Sequence, residues 1–400
     1  MPPDSGLLHG VRVVDLTRVL AGPYCAQMLG DMGADVIKVE EPSRGDDTRQ
    51  WGPPFTESGM SAYFLSANRN KRSITLNLKS DEGMAVLRDL IAQADVLVEN
   101  FKAGTLERLG LDYDKLQQIR PGLIYCTVTG FGYSGPYRDQ PGYDFIAQAL
   151  GGLMSVSGPA EGEPTRVGVA ITDLLSGIYA CNAICAALFA RERTGDGQRI
   201  DISLLDSQVA TMTYVASNYL VSGETPKRYG NAHPNIVPYQ SFEASDGHLA
   251  FAAGNDGQWA KFCRAVGKDD WIEDERFATN PQRVENRKTL IPLLDELFSQ
   301  RTVEEWLAIC VEAGIPAAPI NDIRQVFEDP QVQARNMQTS VTAKSGEELP
   351  LVASPLKTLY NPPSVRYPPP EHGEHTDEVL GGLLGYDAER IAALRESGSI

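Results

Sequence analysis

The chain has 400 residues, of which 42% are hydrophobic and 22% are charged, enough to bury the core of a globular protein of two or three domains. Its formal net charge of −17 disfavours nucleic acid and anionic membranes as partners. The chain has no uninterrupted run of about eighteen apolar residues and no basic, apolar leader, so we expect no membrane span and a cytoplasmic location. Six cysteines without metal or disulfide spacing predict no metal site.

Short β-branched runs alternate with helical runs through the first half of the chain. This alternation predicts an α/β fold built on a doubly wound parallel sheet. Strands are predicted at 10–16, 35–40, 70–79, 95–100, 123–129 and 198–203, and helices at 24–32, 81–93 and 205–220. The turn after the first strand holds one glycine, Gly22, rather than the G-x-G-x-x-G of dinucleotide folds, so NAD binding is disfavoured.

The stretch from Arg166 to Thr194 combines a β-branched run with a long apolar helix. The run Arg166–Asp173 is interpreted as a strand, and the helix ends at Thr194-Gly195. Asp173 would then lie at the strand-to-helix corner, where the helix dipole keeps a carboxylate ionised and able to act as a nucleophile. An aspartate before an apolar helix is more often only its cap, and both interpretations stay open on these residues alone.

The second half of the chain predicts a small additional domain. We expect a large doubly wound domain over 1–222, a linker over 223–239 and a small α/β domain over 240–323. Residues 324–400 are expected to return to the large domain, and no internal repeat is evident.

Basic residues recur near the ends of the predicted strands. On charge alone a solvated surface is the commoner explanation. Lys79 and Arg108, however, follow their predicted strands, where the carboxyl ends of a parallel sheet form the ligand crevice. The pair therefore suits a phosphate-rich ligand. The full set is Arg44, Arg49, Lys71, Arg72, Lys79 and Arg108.

Several segments together resemble the family III CoA-transferases, the group of the formyl-CoA and carnitine CoA-transferases. The matching segments are Val14–Pro23, Gly33–Glu40, Asn70–Ser73, Val98–Phe101, Gly195–Gln198 and Gly373–Thr376. The resemblance implies an acyl-CoA:carboxylate CoA-transferase that forms an interlocked homodimer. Its substrates would be an acyl-CoA and a free carboxylate, with no external cofactor and no metal.

The resemblance also implies a role for particular residues. Asp173 matches the family nucleophile, which forms an aspartyl-acyl anhydride and then an aspartyl-CoA thioester. The positions that match CoA-contacting residues of the family are Val19, Leu20, Leu76, Lys79, Asn100, Phe101, Arg108, Leu109 and Tyr143.

Departures from formyl-CoA transferase point to a different acid substrate. That enzyme has glutamine at the position of Leu20, arginine at that of Glu41, and a multi-glycine lid where this chain has Gly254-Asn-Asp256. Residues 228–240 look more like the dicarboxylate branch, such as the succinyl-CoA:glutarate and acetyl-CoA:oxalate enzymes. The expected partners of a second carboxylate are Arg49, His233, Gly230 and Asn231.

Two other functions fit parts of the sequence. The α-methylacyl-CoA racemases of the same superfamily use a His–Asp pair, but Tyr143 stands where their histidine falls, and tyrosine, with an ordinary pKa near ~10, is a poor base at neutral pH. A non-catalytic CoA-binding protein is the second alternative. It would need no ionised Asp173.

Overall fold

The computed structural model describes residues 6–400, which divide into two compact units. The first unit runs to Leu153 and resumes at Val167–Ser217 and Pro330–Ile400. The second consists of Met154–Arg166 and Asn218–Asp329. The ranges predicted as linker and small domain, 223–239 and 240–323, therefore both fall within the second unit.

The strands alternate with helices along the first half of the chain. The strands are β1 Arg12–Asp15, β2 Asp35–Glu40, β3 Lys71–Thr75, β4 Val96–Glu99, β5 Ile124–Thr129, β6 Arg199–Ser203, β7 Tyr239–Ala244, β8 Gly247–Ala252, β9 Ala317–Pro319, β10 Gln338–Thr342 and β11 Glu348–Val352. The helices up to β6 are α1 Ala21–Asp31, α2 Ala62–Ala67, α3 Asp81–Ala92, α4 Thr105–Arg108, α5 Tyr113–Ile119, α6 Asp144–Leu150, α7 Leu153–Val156 and α8 Ile171–Thr194. The later helices are α9 Leu204–Thr211, α10 Thr213–Ser222, α11 Asp256–Ala265, α12 Asp270–Glu273, α13 Asn280–Glu285, α14 Arg287–Phe298, α15 Val303–Ala313, α16 Ile323–Glu328, α17 Pro330–Ala334, α18 Thr376–Glu378 and α19 Ala388–Glu396.

The first unit is built on a six-stranded sheet in the order β3-β2-β1-β4-β5-β6. Every neighbouring pair in it is parallel, which confirms the predicted α/β fold. The strand order reverses between β1 and β4, and ligands of such sheets bind outside the carboxyl ends of the strands at that point.

Both faces of this sheet are buried, because successive side chains of a strand point to opposite faces. Val13 packs with α1 and α8 in one apolar cluster. Its neighbour Val14 packs with α3, α5 and α19 in another. Helices on both faces of a parallel sheet are what a doubly wound fold requires.

The second unit has its own sheet and core. Strands β7, β8 and β9 form an antiparallel sheet. Its apolar cluster is built around large aromatic side chains that are fully buried, including Trp259, Phe262, Phe298 and Trp306.

Two predictions of local structure were wrong. Arg166–Asp173 is not a strand: α8 begins at Ile171, and the sixth position in the sheet belongs to β6. Val169 in that run is 55% exposed, so the apolar burial that would favour a strand is missing. The single helix predicted at 205–220 is divided into α9 and α10, with Thr213 at a φ of 37° after the break.

Helix α8 is long and apolar enough to cross a membrane by length and composition alone. One such helix is weak evidence for a span. Its buried side chains, which include Ala180, Ile184 and Leu188, join the apolar cluster on the sheet, as those of a core helix do.

Candidate functional site

A cavity of about 230 Å³ lies at the point where the strand order reverses. Its walls come from the segments that follow β1, β4 and β5, together with the first turn of α8. The lining residues are Arg18, Val19, Leu20, Ala21, Asp47, Asn100, Phe101, Lys102, Ala103, Val128, Thr129, Gly130, Arg138, Gln140, Pro141, Gly142, Tyr143, Asp173 and Leu204.

Asn100 joins two walls of the cavity. Its side-chain oxygen accepts from the Arg18 N–H at 2.9 Å, and its side-chain nitrogen donates to the Arg18 carbonyl at 2.7 Å. Both bonds go to the backbone, so the amide fixes the path of the chain after β1 relative to β4.

Asp173 is the third residue of α8, and its own backbone N–H is capped by another carboxylate. Oδ1 of Asp144 accepts from the N–H groups of Thr172 at 2.8 Å and Asp173 at 3.4 Å. Oδ2 of Asp144 accepts from the Gln148 amide at 2.7 Å. Asp144, 29 residues upstream, therefore takes the capping role that the sequence suggested for Asp173.

The environment of Asp173 favours its protonated form. Burial, and then the negative charge of Asp144, raise the pKa of Asp173 to about 7. Our expectation that the helix end would keep this carboxylate ionised was therefore wrong, because burial disfavours its charged form and Asp144 takes the N–H groups of Thr172 and Asp173. A carboxyl with a pKa near neutrality in a cavity is a candidate for chemistry.

Tyr63 is another group near this pair that the sequence did not single out. Burial, followed by the charges of Asp173 and Asp144, raises the pKa of its phenol. Its ring meets that of Trp51 edge-on, with centroids 5.0 Å apart.

The structure brings six of the ten predicted site residues together on this cavity. They are Val19, Leu20, Asn100, Phe101, Tyr143 and Asp173. Leu76 is buried in the core, and Leu109 packs against the same apolar cluster. Lys79 and Arg108 are exposed and do not line the cavity. Their roles in binding CoA stay predictions.

Arg108 nevertheless lies beside a basic side chain of the cavity. A Cβ added at Gly104 would lie 3.4 Å from Nη1 of Arg108 and 3.5 Å from Nη2 of Arg138. The two guanidinium groups therefore converge on the turn before α4, where Oε2 of Glu107 lies 3.4 Å from the same point and pairs with Arg138 at 3.7 Å. Arg18 and Lys102 add positive charge to the lining.

Sequence reasoning missed these lining cations. Arg18 and Lys102 follow β1 and β4 within three residues, so the rule that located Lys79 and Arg108 also applied to them. Arg138 lies in a long loop after β5, where no strand end marks it.

Arg49 is not available as the partner of a substrate carboxylate, which corrects one expectation. Its guanidinium donates to both oxygens of Glu40, at 2.8 and 2.6 Å, and to the Pro370 carbonyl at 3.1 Å. His233 and Asn231 belong to the second unit, and their contribution to specificity stays a prediction.

The histidine needed by the racemase alternative is missing from the cavity. Within residues 6–400, no histidine lines it. Tyr143, at the corresponding position, is 65% exposed. In the same part of the chain, no group of three or more His, Cys, Asp or Glu side chains could hold a metal ion.

Comparison with known proteins gives matches over almost the whole chain. The model of CoA-transferase family III matches residues 8–376. The chain is 46% identical over 388 residues to the succinate–glutarate CoA-transferase of Agrobacterium fabrum, covering 96% of this chain and 97% of that protein. It is 43% identical over 402 residues to the human succinyl-CoA:glutarate CoA-transferase, covering 98% of this chain and 90% of that one.

Solved structures give the same result for the fold. A CAIB/BAIF family protein from Brucella suis superposes with a TM-score of 0.83 at 46% identity, over 95% of this chain and 100% of the other. The six-stranded parallel sheet therefore belongs to a known architecture.

Proposed function

Since the chain belongs to CoA-transferase family III, as the match over residues 8–376 shows, we propose that it moves CoA from a succinyl-type thioester to a short dicarboxylate through Asp173. Membership of the family confirms the resemblance seen in the sequence. The observation that carries the proposal is the Asp173 carboxyl on the cavity at the switch point of the sheet.

The proposed reaction begins with the ionised Asp173. A carboxylate oxygen attacks the carbonyl carbon of the donor thioester, the C–S bond breaks, and CoA leaves as thiolate. The product is a mixed anhydride between Asp173 and the donor acyl group. The thiolate then attacks the carbonyl carbon of Asp173, and the donor acid leaves with the bridging oxygen. This step leaves an aspartyl-CoA thioester.

The second half of the reaction repeats these steps in reverse. The acceptor carboxylate attacks the aspartyl-CoA thioester and releases CoA thiolate. The thiolate attacks the acceptor acyl carbon of the new anhydride, which frees Asp173. A carboxylate nucleophile suits both halves of the reaction, because CoA is passed between carboxylates of similar energy. We propose that neither metal nor external cofactor takes part, and that the reaction occurs in the cytoplasm.

The names of the relatives support the choice of substrates. The enzymes of Agrobacterium fabrum and human are named for succinate or succinyl-CoA and glutarate, and a Haloarcula hispanica relative at 40% identity for succinyl-CoA and mesaconate. A second carboxylate must be paired once it leaves water. Lys102, Arg18 and Arg138 line the cavity and supply positive charge for this carboxylate and for the phosphates of CoA. Arg18 and Arg138 are paired with Asp47 at 3.3 Å and Glu107 at 3.7 Å. Unlike the buried pair of Arg49, these are exposed surface pairs of little energy, which a substrate anion can replace.

Trapping the acyl-enzyme tests the proposal directly. Hydroxylamine added during turnover of succinyl-CoA should convert Asp173 to a hydroxamate, which peptide mass spectrometry locates. Asp173→Ala should abolish transfer while retaining affinity for CoA, and Asp139→Ala, an exposed aspartate, should retain both. Transfer by Asp173→Ala at the wild-type rate would exclude the mechanism. CoA binding without transfer in the wild type would instead favour a non-catalytic CoA-binding protein.

A panel of acceptors tests the substrate class. Wild-type protein is incubated with succinyl-CoA and glutarate, malate, oxalate, formate or a monocarboxylate as long as glutarate, and the product CoA esters are quantified. We expect the dicarboxylates to be preferred. A monocarboxylate that serves as well as every dicarboxylate would show that there is no pocket for a second carboxylate.

We propose further that two copies form the interlocked homodimer of the family. Large apolar side chains of α8 and α10 are exposed in the single chain: Phe189 is 66% exposed, Leu220 79% and Val221 89%. Exposed apolar side chains that are neighbours, as Leu220 and Val221 are in the chain, are typical of interaction surfaces. Light scattering coupled to gel filtration should therefore give twice the mass of 43.6 kDa, and a monomeric mass would contradict the proposal.

A further inference from the structure

Three of the sequence segments that resemble the family meet in one buried cluster of charges. Asp15, Lys38 and Lys71 each contribute a side chain with 0% exposure. They come from the segments 14–23, 33–40 and 70–73. The cluster lies beneath the segment Thr17–Leu20, whose last three residues line the cavity. The proposed chemistry uses none of these charged groups.

Lys71 supports residues that flank that segment on either side. Its ammonium donates to Asp15 Oδ2 at 3.0 Å, to the Pro23 carbonyl at 2.9 Å and to the Asn68 side-chain oxygen at 2.9 Å. The other oxygen of Asp15 accepts from the backbone N–H of Thr17 at 2.9 Å. All three protons of the ammonium therefore have acceptors, as a buried charge requires.

Lys38 supports the middle of the segment. Its ammonium donates to the Thr17 carbonyl at 2.8 Å and to Asp46 Oδ2 at 2.9 Å. The other oxygen of Asp46 accepts from the Val19 N–H at 3.2 Å. Lys38 and Asp46 therefore hold the backbone on both sides of Arg18, whose own N–H and carbonyl are held by Asn100.

The residue held in this way is in an unfavourable conformation. Val19 has a φ of +70°, in the left-handed region that a β-branched residue avoids because its Cβ approaches the carbonyl oxygen. Such strain persists only where surrounding structure imposes it, and it concentrates at functional sites. Val19 lines the same cavity as Asp173.

We propose that Lys38 and Lys71 are positioning residues for the transfer reaction. They hold the segment Thr17–Leu20, with Val19 in its left-handed conformation, in the shape against which the acyl-CoA thioester binds. The inference rests on the proposed function. Buried ion pairs contribute little net stability compared with apolar side chains of equal size, but they can select one conformation. Here the selected conformation is that of a cavity wall.

A double-mutant cycle between Lys38 and Val19 tests the inference. Glycine adopts a positive φ without strain, so a chain carrying Val19→Gly needs the lysine less. We expect Lys38→Met to lower kcat/KM for succinyl-CoA at least about tenfold in the otherwise native chain and less than about threefold in the Val19→Gly chain, since coupled residues are not additive. Most of the loss should appear in KM, because the segment contacts substrate rather than transferring the acyl group.

Arg72→Met is the matched control. Arg72 is the neighbour of Lys71 on β3 and is paired with Asp35 and Glu378, away from Thr17–Leu20. Arg72→Met removes two ion pairs from β3, the strand next to that of Lys38, and should leave KM unchanged. An equal loss for Lys38→Met in both Val19 backgrounds, or a loss no greater than that of Arg72→Met, would overturn the inference.

Two further measurements keep the outcome decisive. If Lys38→Met does not fold, Asp46→Asn gives a milder loss of the same contact, and its effect should likewise shrink in the Val19→Gly chain. Calorimetric binding of free CoA gives a readout independent of acyl transfer. If the wild type binds CoA but transfers nothing, the proposed function fails while the cycle on CoA affinity still decides the inference.

Discussion

At the scale of single residues, the site depends on two carboxylates that share one helix end. Asp144 accepts hydrogen bonds from the N–H groups of Thr172 and Asp173 in the first turn of α8, and Asp173 lines the cavity. Burial, and then the charge of Asp144, raise the pKa of Asp173, the proposed nucleophile, to about 7. A more basic carboxylate is a stronger nucleophile once ionised, but fewer molecules carry it ionised below neutrality.

This arrangement predicts a pH dependence with a defined sign. Because attack needs the ionised Asp173, kcat/KM for the acyl-CoA should rise as pH increases and level off above about 7. Asp144→Asn removes the negative neighbour but keeps an oxygen to cap α8. Without that neighbour the pKa of Asp173 falls, so the midpoint of the profile should move about one unit to lower pH.

Asp139→Asn is the control for this pH shift, because it removes an equal charge from an exposed position of the loop before Gly142. Its profile should match that of the wild type. A midpoint that stays in place, or rises, in Asp144→Asn would contradict the assigned electrostatic coupling.

The sequence could locate Asp173 but not its environment. An aspartate at the start of a long apolar helix is visible in a single stretch of residues. The cap at Asp144 is not visible, because the contact spans 29 residues and depends on how the loop after β5 folds back. The same limit explains the wrong prediction that Arg49 pairs with a substrate carboxylate. Arg49 lies in a loop that folds onto the end of β2, where it pairs with Glu40 instead.

At the scale of elements, the site depends on the close approach of α1 and α8. A Cβ added at Gly177 would lie 2.6 Å from the Ala21 carbonyl oxygen and 3.4 Å from the Cys25 nitrogen. Real Cβ atoms do not approach a backbone oxygen so closely. The cavity residues Leu20 and Asp173 lie at the starts of these two helices, so their separation sets the width of the site.

Gly177→Ala should therefore separate the helices. We expect a loss of about 1–3 kcal/mol in the free energy of unfolding, the usual cost of overpacking a core, and a lower kcat. Chemical denaturation and steady-state kinetics measure the two effects. Gly382→Ala, where an added Cβ meets nothing within 4 Å, should change either quantity little. An unchanged free energy of unfolding in Gly177→Ala would contradict this prediction, because α1 and α8 could then move apart without a measurable cost.

Elements with strong periodicity were predicted correctly, and those decided by context were not. The strands at 35–40 and 123–129 could be predicted because they are short, rich in β-branched residues and bounded by turns. The run Arg166–Asp173 is equally β-branched, yet the edge of the sheet is occupied by Arg199–Ser203. Competition between two segments for one edge position is a tertiary effect that local propensity does not contain.

At the scale of the whole molecule, the site must attract an anionic substrate against a net charge of −17. Only a local group of cations can do so, and the structure places Arg108 and Arg138 together at Gly104. A cation that contacts a phosphate is screened less by salt than distant surface charges are.

Arg138→Ala should weaken binding of the acyl-CoA by about 1–3 kcal/mol, the cost of losing one charge-assisted hydrogen bond. The KM should rise, and its dependence on salt concentration should become shallower than in the wild type. Arg108→Ala should change KM in the same direction. Lys115→Ala, whose side chain pairs with Asp112 on the surface, serves as the control. An unchanged KM in both arginine variants would assign these guanidinium groups to the surface alone.

Residues near the end of the chain cover β3, the strand at one edge of the six-stranded sheet. Gly373 N–H donates to the Ser73 hydroxyl at 2.9 Å, and Asn77 N–H to the Ser399 carbonyl at 2.9 Å. During synthesis, the strand at positions 71–75 therefore waits for some three hundred more residues before this cover exists. β6 is synthesised well before Gly373. All six strands can therefore pair while the outer edge of β3 is still uncovered. Open edges recruit other chains, and the nascent protein is most exposed to misassembly in this interval.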